Sequence, residues 1–160
     1  MSKLVGIVSR TDKEEALKLA AELMRHLELK GLTILLEPRL AAYVHRDDCA
    51  KPVEEMKADL IVTVGGDGTI LRTCFHIPKP EPPILAIHMG VRGFLTEVPP
   101  ERALKAIEDY LERAYNLERC SKIASFIGKE RLPDALNEVF VTSRSLAKLI
   151  HLRVRKDDTP

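Results

Sequence analysis

The chain has 160 residues, 31% of them charged, and a formal net charge of +1. That is room for one solid core, or one core and part of a second, with no broad attraction to nucleic acid or acidic membranes. Aromatic residues make up 4% with no Trp, which argues against a base-stacking nucleic-acid platform.

Leu4 to Val8 predicts a first buried strand. Thr11 and Glu14 have capping-box spacing at a helix start. Ala16, Leu19, Ala20, Leu23, Met24 and Leu27 then fall on one helical face, and Gly31 supplies the stop. Leu32 to Leu36 predicts a second strand, so the first third reads as a strand–helix–strand unit of a parallel sheet. Pro52 to Met56 suits a short helix, and Leu60 to Val64 is a further buried strand. It breaks into Gly65-Gly66-Asp67-Gly68-Thr69, followed by a helix-like stretch from Ile70 to Phe75.

The proline-rich run 78–83 can be neither helix nor inner strand. Ile84 to Ile87 is apolar and strand-like, and it ends in a second glycine-punctuated loop, 88–95. Pro100 is placed to open a helix whose stripe is Ala103, Leu104, Ile107, Tyr110 and Leu111. Beyond Tyr115 the pattern changes to short strands: Lys122 to Ile127, Leu136 to Thr142, and Leu149 to Arg155, the last with strict alternation. These readings give an α/β fold: a parallel Rossmann-like domain over residues 1–115, followed by the start of a β-rich domain over 116–160. The turn residues after Arg155 have no return strand, so the second domain reads as incomplete and the chain as an N-terminal fragment.

Three widely spaced cysteines, Cys49, Cys74 and Cys120, form neither a disulfide framework nor a C-x-x-C pair. They fit reduced thiols in a cytoplasmic protein. No signal peptide or membrane helix is evident, since no apolar run approaches the roughly 18 residues a span requires. The histidines show no metal-ligand spacing, so no protein-held metal is expected.

The glycine turn carries the chemistry. A buried strand turning through glycine into a helix leaves backbone N–H groups free for phosphate oxygens. A carboxylate there would repel phosphate, so Asp67 either caps the next helix, with the glycines serving positive φ, or takes part in a reaction.

The segment 65–71 resembles the signature of NAD kinases, shared in its core with diacylglycerol and sphingoid lipid kinases. Gly93-Phe94-Leu95-Thr96-Glu97 and Ala135-Leu136-Asn137-Glu138-Val139 resemble NAD kinases specifically, in order and at the expected separations. Lys148 falls where that family carries a basic residue. Two positions depart from the pattern: His88 stands in place of Asn, and Arg92 in place of Leu. The family's T-P-T-G-S-T-A-Y-like loop would lie beyond residue 160.

The resemblance implies transfer of a phosphoryl group from ATP or polyphosphate to the adenosine-ribose 2′-hydroxyl of NAD, giving NADP, with Mg²⁺ or another divalent cation on the donor. Asp67 would be the general base, with Gly65, Gly66, Gly68 and Thr69 approaching the phosphates and Arg72 reaching a pyrophosphate. Asn137 and Glu138 would hold a nucleoside, and Lys148 would neutralise a phosphate. NAD and ATP would be the partners, with no nucleic acid or membrane, and the full-length parent would be a homo-oligomer. A 160-residue piece lacking the later loop is expected to form little or no NADP. The competing readings are a lipid kinase of the diacylglycerol kinase type and a non-catalytic nucleotide-binding module.

Overall fold

The computed structural model describes residues 3–90, 93–145 and 148–157. Arg92, one of the two departures from the family pattern, lies outside them. The chain forms two compact units, Met1–Ser121 and Lys122–Pro160.

The first unit is built on a four-stranded parallel sheet of β1 (Leu4–Ser9), β2 (Thr33–Leu36), β3 (Leu60–Gly65) and β4 (Ile84–His88), in the order β2-β1-β3-β4. Helix α1 (Glu14–Leu29) carries the chain from β1 outward to β2. Helix α3 (Asp67–His76) carries it from β3 outward to β4, in the opposite direction. Crossovers between parallel strands are right-handed, so opposite directions of winding place the two helices on opposite faces.

The strand residues sort accordingly. Val5, Ile7, Leu60, Val62, Val64 and Ile87 face α1 and α4 (Ala103–Leu111). Val8 and Ile61 pack with Val53, Met56 and Ile77 on the other side. Nearly every residue of β1 and β3 is buried, as expected of strands covered on both faces.

Several sequence expectations need correction. Thr11 and Glu14 form no capping box. Helix α1 starts at Glu14 with extended Lys13 at the N-cap and no side-chain cap, so Glu14 stands two residues too early to close the box. The first turn instead has Glu14 and Glu15 facing the helix dipole. The segment from Pro52 is a 3-10 turn, Val53–Glu55, with Pro52 as its cap. A six-residue helix, α2 (Pro38–Tyr43), was not legible, since it is too short to show a full apolar period. Gly31 behaves as expected: at φ +76° it donates its N–H to the Glu28 carbonyl at 2.9 Å.

In the second unit, β5 (Phe126–Ile127) and β6 (Glu130–Arg131) form an antiparallel hairpin. Gly128 turns it at φ +62°, and an Ile123–Ala135 bridge extends it. The strands expected over Leu136 to Thr142 and Leu149 to Arg155 do not form among the described residues. Phe140, Leu149, Leu152 and Val154 are exposed. Alternation records a tendency to lie on a sheet, but a strand needs a neighbour to accept its hydrogen bonds.

Candidate active site

The carboxyl ends of β1 and β3 adjoin where the winding of the sheet reverses, which is where open α/β sheets bind ligands. A cavity of about 570 Å³ opens there, lined by Ser9 to Asp12 at the end of β1, by Glu37 and Arg39 after β2, and by Gly66, Gly68, Thr69 and Arg72 after β3.

Helix α3 begins at Asp67 itself, with Gly66 as an extended N-cap (φ −123°). None of Gly65, Gly66 and Gly68 has positive φ, so the glycines are not there for a left-handed turn. Gly65 is needed for packing, because a β-carbon on it would stand 2.2 Å from Thr69 Oγ1. Gly66 and Gly68 have nothing within 4 Å of where a β-carbon would be. Their backbone faces the cavity, and the first N–H groups of a helix have no partner within it.

Asp67 does not cap its own helix. Its Oδ2 accepts the Phe94 N–H at 2.8 Å and its Oδ1 the Leu95 N–H at 3.0 Å. The loop is brought there by the sheet. Gly65 and His88 are register partners on β3 and β4, and Met89 N–H donates to the Gly65 carbonyl at 2.7 Å. The chain then doubles back so that Val98 pairs beside Ile87. Thr96, buried at 1% exposure, accepts the Gly93 N–H on Oγ1 at 2.9 Å and so fixes the turn. Two segments singled out separately in the sequence therefore meet at one carboxylate. That carboxylate points at the 93–95 backbone, and Asp67 is not among the residues lining the cavity.

Arg72 is in the cavity wall, partly exposed but ion-paired. Its guanidinium makes a two-pronged contact with the Glu37 carboxylate, in which NH2 to Oε2 measures 3.0 Å. Glu37 holds the Arg72 pKa above its ordinary value. Arg10 grips Asp12 in the same way, at 2.9 and 2.6 Å. That contact pulls the Asp12 carboxyl down to about 2.

In the second unit, Asn137 donates its side-chain amide to the neighbouring Glu138 carboxylate. Lys148 is exposed, and its backbone N–H donates to Ser145 at 3.4 Å. His88 Nδ1 lies 3.0 Å from the Gly90 carbonyl. The sequence reading missed Ser9, Arg10, Asp12, Glu37 and Arg39 as site residues. The available signal was positional: all follow the carboxyl ends of predicted strands, where such sheets bind ligands.

A family model for the ATP-NAD kinase N-terminal domain matches residues 5–115. The chain belongs to the NAD kinase family. It is 42% identical over 151 residues to an NAD kinase of Thermococcus kodakarensis, covering 92% of this chain and 54% of that protein. It is also 42% identical over 158 residues to one of Pyrococcus abyssi, covering 95% and 56%. The chain thus spans about half the length of these curated relatives.

Among solved structures, an NAD kinase from Archaeoglobus fulgidus in complex with ATP superposes with TM-score 0.67 at 30% identity, covering 91% of this chain and 50% of that one. Yeast NADH kinase complexed with NADH gives TM-score 0.67 at 19% identity, covering 85% and 47%, and this likeness shows the fold. For this NAD kinase family member, no group of three or more His, Cys, Asp or Glu among the described residues could hold a metal ion. No helix among them is long and apolar enough to cross a membrane.

Proposed function

We propose that the native protein carrying this chain phosphorylates NAD on its adenosine-ribose 2′-hydroxyl, with ATP as donor, and that Asp67 is the catalytic carboxylate. The observation that carries this reading is the convergence of the 65–69 turn and the 93–96 loop on Asp67, in a chain of the NAD kinase family. The same membership weighs against a lipid kinase, which would share the glycine turn without the 93–97 segment.

Asp67 would accept the hydroxyl proton. An ordinary Asp, with a pKa of about 3.9, is a weak base toward an alcohol. Phosphoryl transfer tolerates this, because its loose transition state relies on positioning and charge neutralisation, and the proton can leave late. The Phe94 and Leu95 N–H groups would keep the carboxylate aimed. Gly66, Gly68 and Thr69 would approach the donor's phosphates, with Gly65 leaving room for Thr69 and Arg72 forming the cavity wall.

The divalent cation would arrive on the donor's phosphates as part of the substrate. The cavity's own carboxylates, Asp12 and Glu37, are each already engaged by an arginine and do not fit a resident metal. Asn137 and Glu138 would read the nucleoside, and Lys148 would meet a phosphate, within the β-rich domain proposed to begin at residue 116.

The test is a kinase assay of the native protein with NAD and diacylglycerol offered side by side. NADP should form, and formation should vanish on Asp67→Asn. Phosphorylation of the lipid alone would overturn the proposal.

A further inference from the structure

The cavity at the β1/β3 ends holds three guanidinium groups, Arg10, Arg39 and Arg72, but only two carboxylates, Asp12 and Glu37. The pairing is not shared evenly. Arg10 is taken by Asp12 through Nε and NH2. Arg72 is taken by Glu37 through both of its terminal nitrogens. In each case a carboxylate holds one two-pronged edge of the guanidinium and offsets its charge.

Arg39 is different. Its side-chain partner among the described residues is neutral, the Thr11 hydroxyl, at 3.4 Å. Among the described residues no carboxylate lies within ion-pair distance of it.

The position of Arg39 is also not explained by the fold. It lies exposed in the first turn of α2, just after Pro38. A cation in the first turn of a helix opposes the helix dipole, so α2 gains no stability from it. A guanidinium without an acidic partner, on the wall of a cavity whose other wall is the glycine-bearing start of α3, is available to an incoming anion.

We infer that Arg39 is the cationic contact for the oligophosphate chain of the donor, and that Arg72, the arginine the sequence motif favours, is instead held in the wall by Glu37. The identity of the oligophosphate as ATP rests on the proposed kinase activity; the assignment of the anion contact to Arg39 rests on the pairing pattern.

The experiment compares wild type, Arg39→Ala, Arg39→Lys and a control, Arg25→Ala, an exposed arginine of α1 remote from the cavity. The native protein is assayed for the KM of ATP, the KM of NAD and kcat. Tripolyphosphate affinity is measured separately by calorimetry, and Tm is recorded for each variant. Loss of a charge-assisted phosphate contact should raise the KM for ATP and weaken tripolyphosphate by about tenfold or more. The KM for NAD and Tm should stay unchanged, the lysine variant should fall between, and the control should match wild type.

An active wild type whose ATP KM is unmoved by Arg39→Ala overturns the assignment and leaves the kinase reading intact. A wild type that forms no NADP overturns the kinase reading. The tripolyphosphate arm then decides Arg39 alone: binding lost in Arg39→Ala supports it, while binding retained, or absent in wild type, overturns it.

Discussion

Gly93 lies so close to the Asp67 carboxylate that a β-carbon on it would stand 2.1 Å from Oδ1. Asp67 opens α3 after β3 and Gly93 lies on the loop after β4, and the contact is possible only because position 93 has no side chain. Gly93→Ala should therefore push the carboxylate off the Phe94 and Leu95 amides, costing about 1–3 kcal/mol of stability as an overpacked site. Most NAD phosphorylation should be lost with it. Gly68→Ala is the informative comparison, because nothing lies within 4 Å of its β-carbon position. It should leave the denaturation midpoint nearly unchanged while lowering kcat/KM, since the methyl group would project toward the donor's path.

Asp67→Asn tests the amide cradle itself. An Asn side chain has one acceptor oxygen, so its NH₂ must face either the Phe94 or the Leu95 N–H, donor against donor. The expected cost is about 1–3 kcal/mol in urea unfolding. Unchanged stability would show that the two amides do not hold the carboxylate in solution.

The Glu37–Arg72 pair joins the N-cap of α2 to α3 at the cavity wall, with the Glu37 side chain 14% exposed and that of Arg72 41% exposed. Solvent at the arginine end limits its worth. Glu37→Ala should cost between a few tenths and about 1 kcal/mol. The double variant with Arg72→Ala should fall short of the sum of the singles, because they remove one interaction.

Asp12 offers a pH test. The hydrogen bond from Arg10 lowers its carboxyl from 3.8 to about 2 in the folded protein. A depressed folded value stabilises the pair above the unfolded value, and that stabilisation fades as pH falls from about 4 toward 2. Carboxyl ¹³C titration should find the Asp12 midpoint near the low value in wild type and back in the ordinary range in Arg10→Ala. Equal midpoints in the two proteins would rule the pair out.

The thiols should separate by burial. Cys49 is 9% exposed, its Sγ lies 3.2 Å from the Arg46 carbonyl, and burial pushes its pKa up. Cys120 is exposed. A colorimetric thiol reagent should label Cys120 quickly and Cys49 only on unfolding.

The elements legible in the sequence were those whose signal is local. Leu4 to Val8 and Leu60 to Val64 read as buried strands because their short runs are almost wholly apolar. The α1 stripe and Gly31 marked one helix and its end. Pro38 to Tyr43 escaped notice because six residues carry no full period, and Thr11 with Glu14 misled because spacing alone does not say where a helix starts. Leu136 to Thr142 and Leu149 to Arg155 alternate as strands do, yet pairing depends on a neighbour that alternation does not name.

The sequence by itself determined the family and the parallel α/β design and singled out Asp67 as a candidate, because the glycine turn and the 93–97 segment are legible as short local motifs. Only the tertiary structure decided what those residues do to one another. It brought the Phe94 and Leu95 amides to Asp67, gave Arg72 to Glu37 and left Arg39 without an acid. Each of those outcomes depends on strand order: β3 beside β4 sets the first, and the reversal of winding between β1 and β3 gathers the others. Order in a sheet is set by packing among distant segments, and no local pattern in the chain encodes it.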